Sequence, residues 1–98
     1  MTIPGGWKIL NMEACALPQK VASGFSEVFN GLIGASYLPV LYCATQVVAG
    51  TNHMILCKQT LATRDAQEAI VKVVLYEHLP SDGGKFVLTS IDEVVKGY

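Results

Sequence analysis

Leu17-Pro18-Gln19-Lys20-Val21-Ala22-Ser23-Gly24-Phe25-Ser26-Glu27-Val28-Phe29-Asn30-Gly31-Leu32-Ile33 carries the helical period of this chain. Leu17, Val21, Phe25, Val28 and Leu32 recur at steps of four, four, three and four, which places all five on one stripe of a 3.6-residue helix, with Ala14, Ala22 and Phe29 at its margin. Polar residues fill the other positions, Pro18 suits a first turn where its missing N–H is harmless, and Gly34 suits a left-handed stop. Gly24 and Gly31 each weaken such a helix by about 1 kcal/mol relative to Ala, so packing against a sheet has to hold it.

Downstream the pattern changes to strands. Tyr37 to Val48 and Thr51 to about Leu61 are rich in β-branched and aromatic residues, and Gly50 between them suits a tight hairpin turn. Glu68 to His78 alternates, with Val71, Val73 and Leu75 on one face and Lys72, Val74 and Tyr76 on the other. This is the pattern of a sheet covered on one side, and the apolar side is the one expected to meet the helix. Leu79-Pro80-Ser81-Asp82-Gly83-Gly84 is dense turn chemistry, and Lys85 to Ile91 reads as the last strand, followed by a short tail from Asp92 to Tyr98. The fold class expected is α+β: one long helix wrapped by a four- to five-stranded antiparallel sheet, forming a single domain over 1–98.

The whole sequence of 98 residues is 51% hydrophobic and 15% charged, with a formal charge of -1. That is too apolar for a disordered chain and lacks the basic excess that nucleic acid requires. No run approaches the roughly 20 apolar residues of a bilayer span, and Met1 to Lys8 do not read as a secretory signal. A cytoplasmic protein with no membrane partner is therefore expected. Cys15, Cys43 and Cys57, an odd number at unrelated spacings, fit neither a disulfide framework nor a metal pair. His53 and His78 lack a second ligand at metal spacing, Cys57 and His53 form no known nucleophile signature, and the carboxylates sit in loops and at strand ends. No metal, no cofactor and no enzymatic activity are expected.

What remains is a set of apolar tips. In a four-strand meander both hairpin turns lie at one end of the sheet, and the N-terminal segment is expected to reach that end too. Ile3-Pro4-Gly5-Gly6-Trp7, Gln46-Val47-Val48-Ala49-Gly50 and Leu79-Pro80 would then form an exposed apolar edge of the kind that marks a partner surface.

These same residues carry a family resemblance. Gln46-Val47-Val48-Ala49-Gly50 matches the Q-x-V-x-G motif of the cystatins, and its continuation through Thr51-Asn52 resembles the stefins, the intracellular type 1 branch. Ile3-Pro4-Gly5-Gly6 resembles the N-terminal glycine segment of stefins, Leu79-Pro80 their second hairpin, and Phe86-Val87-Leu88-Thr89 the strand that follows it, all in the family's order. The chain departs from stefins in a longer Leu56–Ile70 stretch, a helix with fewer charges and a shorter tail. The resemblance implies a cystatin-like fold and reversible, non-covalent inhibition of papain-like, cathepsin-type cysteine proteases. Pro4, Gly5, Gly6, Gln46, Val47, Val48, Ala49, Gly50, Leu79 and Pro80 would form a wedge in the protease cleft. It also implies a monomer able to form a domain-swapped dimer. The alternative is a cystatin-like binding module with a different protein target and no protease inhibition.

Overall fold

The computed structural model describes residues 6–98. In chain order they form α1 (Gln19–Asn30), β1 (Ala35–Val48), β2 (Gly50–Leu61), β3 (Glu68–Glu77), a single 3-10 turn (Pro80–Asp82) and β4 (Phe86–Lys96). The strands make one antiparallel meander in the order β1-β2-β3-β4. The architecture is α+β, an open four-stranded sheet with one helix on one face, as the sequence pattern anticipates.

Helix α1 is shorter than its apolar stripe. The Ala22 N–H closes the first turn onto the Pro18 carbonyl at 2.8 Å, and the Leu32 N–H donates to the Phe29 carbonyl at 3.1 Å as the chain leaves the helix. Leu17 thus precedes the helix, while Leu32 and Ile33 follow it and Ile33 is 97% exposed. The expected stop at Gly34 comes too late: Gly31 ends the helix, and Gly34 is the turn into β1. Neither end has a side-chain cap, and twelve residues are marginal for a helix in water on their own. Packing supplies what capping does not.

That packing is a core shared by the helix and three strands. Val21 and Phe25 meet Ile55 and Cys57 of β2, Ala69, Val71, Val73 and Leu75 of β3, and Phe86 of β4. Burial alternates along β3 from Glu68 to Tyr76, so the face chosen by Val71, Val73 and Leu75 is the covered one. Each buried aliphatic or aromatic side chain contributes about 1.5–3 kcal/mol relative to exposure. At the far end of the helix tilted ring contacts continue the core, Phe25 to Phe29 at 4.4 Å and Phe29 to Tyr37 at 4.6 Å between centroids.

The last strand runs five residues beyond the expected end at Ile91. Ile70 pairs with Val95 and Ala69 with Lys96, and the Gly97 N–H then donates to the Glu68 carbonyl at 2.8 Å. Asp92 and Glu93 made this segment read as a polar tail. They are tolerated because it is an edge strand, where a charged side chain can point to water while the backbone ladder continues. Register shifts between Ile70 and Val71 and between Val74 and Leu75 absorb the broken alternation of this edge. Among the described residues no helix is long and apolar enough to cross a membrane.

Candidate functional site

The β1–β2 and β3–β4 connections lie at the same end of the sheet, as the meander requires. Val48 is paired with Gly50, so Ala49 alone bridges β1 and β2. Such a connection needs a residue that can take positive φ, and Gly50 supplies it at +124°. Gly50 is also buried: a Cβ there would lie 2.5 Å from both the Glu77 carbonyl oxygen and the Tyr76 hydroxyl. The glycine of the motif therefore serves two local needs, the turn and the close approach of β3.

The second tip is closed by its own backbone. The His78 N–H donates to the Lys85 carbonyl at 2.9 Å, the Asp82 and Gly84 N–H groups both reach the Leu79 carbonyl, at 2.8 and 3.0 Å, and Pro80 opens the 3-10 turn. Leu79 and Pro80 are left exposed on this frame. On the first tip Val47 is 83% and Val48 48% exposed, while Gln46 and Ala49 are also exposed. The Gln46 side-chain oxygen accepts from the Asn52 amide at 3.0 Å, which links β1 and β2 just below the tip. The Tyr76 hydroxyl donates to the Ala49 carbonyl and so joins the first tip to β3. Gln46, Val47, Val48, Ala49, Gly50, Leu79 and Pro80 are thus brought to one edge.

Of the N-terminal part of the expected wedge, Gly6 is placed differently. Pro4 and Gly5 lie outside the described residues. Gly6 and Trp7 share a surface groove with Glu93 to Tyr98, where β4 ends, and Ile9 lies against Gly97. The register puts Lys96 opposite Ala69 and Phe86 opposite Glu77, so the end of β4 is the end of the sheet remote from both tips. Gly6 is therefore not beside Val48 or Leu79, and the expectation that this segment reaches the tips is corrected for Gly6. Trp7, 74% exposed, borders this groove on β4, where the unforeseen extension of the strand places Val94 and Val95.

Beneath the tips is a polar network that sequence reading missed. His53 is 5% exposed, with its ring 5.9 Å from Tyr42 and 5.5 Å from Phe86 between centroids. Its Nδ1 lies 2.7 Å from the Tyr42 hydroxyl and its Nε2 2.9 Å from Glu77 Oε1. Glu77 Oε2 is ion-paired with Lys20 of α1. The arrangement fits a ring whose Nε2–H donates to the Glu77 carboxylate and whose Nδ1 accepts from Tyr42. Lys20, through its hydrogen bond and charge, and His53 hold the Glu77 carboxyl below its ordinary range, against the opposing effect of burial. Burial, with the Glu77 charge beside it, raises the Tyr42 hydroxyl above its ordinary value.

The side of the sheet that meets the helix, expected to be apolar, thus carries a buried polar network at its tip end. A signal was present in the sequence: His53 stands at the alternate position that puts it on the same face as Ile55 and Cys57. Cys57 itself is pushed up to about 12, chiefly by burial, which keeps it a thiol with little nucleophilic character. Cys15, Cys43 and Cys57 are all free. Among the described residues no group of His, Cys, Asp and Glu is arranged to hold a metal ion.

The whole arrangement is a frame for two exposed apolar tips: a short bridge, a closed loop, and a satisfied polar network that joins α1, β1, β2 and β3 directly below them. No family model, no curated protein and no solved structure matches the chain.

Proposed function

We propose that this chain is a reversible, non-covalent inhibitor of papain-like cysteine proteases, with the two hairpin tips entering the active-site cleft. The observation that carries the reading is the juxtaposition of exposed Val47 and Val48 with exposed Leu79 and Pro80 at one end of the sheet, on the motif that resembles the cystatins. The single helix against a four-stranded antiparallel meander is compatible with a cystatin-like fold. Apolar side chains held on short, internally bonded turns can be buried by a partner with little loss of conformational freedom, so more of their hydrophobic contribution is realised as affinity. Three free cysteines fit a reducing, cytosolic site of action.

The second reading, a cystatin-like module that binds another protein and inhibits no protease, is favoured by one observation. Gly6 and Trp7 stand at the end of the sheet remote from the tips, which leaves the described residues with two tips rather than three elements at the binding edge.

Titration of active-site-counted papain with the purified protein decides between them. Competitive, reversible inhibition of papain with no effect on trypsin is the expected result. Full papain activity at high micromolar protein would remove the inhibitor reading and leave the binding module.

A further inference from the structure

We propose that Tyr76 is the positioning residue that fixes the first hairpin tip against the base of the second. The proposal deepens the protease-binding reading of the tips and rests on it only for its effect on affinity. Tyr76 lies on β3 between inward-facing Leu75 and the strand end, opposite Asn52 and Val87 in the ladder, on the face the helix does not cover. A tyrosine there has no core to fill. Its ring instead reaches past the start of β2 and lies against Gly50, so closely that a Cβ on Gly50 would be 2.7 Å from the ring carbon bearing the hydroxyl.

The hydroxyl then donates to the Ala49 carbonyl. Ala49 is the one residue between the paired Val48 and Gly50, so its carbonyl has no ladder partner. Without the tyrosine the Ala49–Gly50 peptide unit would lose this anchor at the turn that carries Val48. On its other side the Tyr76 ring meets His78 edge to face, with centroids 4.8 Å apart at 74°. His78 begins the second loop through its N–H bond to the Lys85 carbonyl. One side chain thus touches both connections, through its hydroxyl on one and its ring on the other. The relative placement of Val47-Val48 and Leu79-Pro80 is set by this contact as well as by the sheet.

The experiment compares the free wild-type protein with Tyr76→Phe, which keeps the ring and removes the donor. Amide hydrogen exchange read by NMR should accelerate roughly two- to tenfold at Ala49, Gly50 and Thr51, the range expected for one hydrogen bond. Amides at the remote end, such as Leu61, should be unchanged. Replacing Tyr76 with p-aminophenylalanine, which restores a donor at the same place, should return the exchange toward wild type. Unchanged exchange at the tip, acceleration spread evenly over the sheet, or no rescue by the amine would each overturn the proposal. Papain dissociation is measured in parallel and should quicken by a similar factor in Tyr76→Phe. If the wild type does not bind papain, the protease reading fails while the exchange data still decide the role of Tyr76.

Discussion

Gly24 is subject to two opposing local effects whose magnitudes can be compared. In an exposed helix interior, replacing Gly by Ala stabilises by about 1 kcal/mol. Here Gly24 is buried, and a Cβ would run into three atoms of the Phe86 ring. Phe86 lies against the core and His53 on its inner side, so it can yield only toward the surface groove that it lines with Gly24 and Lys85. Overpacking of this kind costs roughly 1–3 kcal/mol, so it outweighs the gain in propensity. Gly24→Ala is expected to lower Tm by up to about 10 °C. An unchanged or raised Tm in a calorimetric melt would mean that Phe86 can yield. Glu77 makes a residue-scale prediction in pH. Because Lys20 first, and His53 after it, depress its folded pKa, the stability it contributes is complete above the unfolded value of about 4.3 and is lost as pH falls through the folded one. Lys20 is 62% exposed, so solvent screens much of its share. Thermal melts between pH 7 and 2 should show a shallower acid limb for Glu77→Gln than for wild type. Parallel curves for the two proteins would show that the network makes no differential contribution.

At the scale of elements, the tips should behave as surface and the helix as core. Val48→Asp and Leu79→Asp each place a charge on an exposed apolar tip, so the Tm of either variant should stay within a few degrees of wild type. Burying that charge against a protease cleft without a partner should weaken papain binding by about a hundredfold or more. Equal inhibition by wild type and Val48→Asp would exclude the first tip from the interface. The elements also differ in how far the sequence disclosed them. β3 was legible because Val71, Val73 and Leu75 alternate without interruption, and β1 and β2 because Gly50 separates two β-branched runs. The last five residues of β4 were not, since a backbone ladder at a sheet edge accepts Asp92 and Glu93 with no apolar signal. Helix α1 ended early because Leu32 and Ile33 are apolar but lie beyond Gly31, and hydropathy alone does not distinguish a stripe from an exposed turn. His53 could be placed on the covered face by its alternation with Ile55 and Cys57, but its partners could not be read. Its burial depends on Glu77, 24 positions away in sequence, and on Lys20 in another element, partners that no local pattern brings together.

On the scale of the whole molecule, the decisive joint is the one between β1 and β2. Ala35 to Val48 and Gly50 to Leu61 are two long strands folded back on each other through Ala49, and the fold-back depends on Gly50 at φ +124°. If that residue became extended, β1 and β2 would run on as one strand, carrying α1 and β1 onto the β2–β4 sheet of a second copy. The core contacts that Val21 and Phe25 of α1 make with β2, β3 and β4 would then be remade between molecules, while the Val47-Val48 tip would be consumed. Gly50→Ala biases this choice. An L side chain at Gly50 is strained in the closed turn and strikes the Glu77 carbonyl, whereas an extended strand accepts it without cost. The variant should therefore populate a dimer on mild heating at concentrations where wild type remains monomeric, as read by size-exclusion chromatography with light scattering. The dimer peak should inhibit papain less than the monomer, because its first tip no longer exists. A Gly50→Ala protein that stays monomeric with wild-type Tm would show that the turn tolerates the side chain, and a dimer that inhibits as well as the monomer would show that the joint opens somewhere other than Val48-Ala49-Gly50.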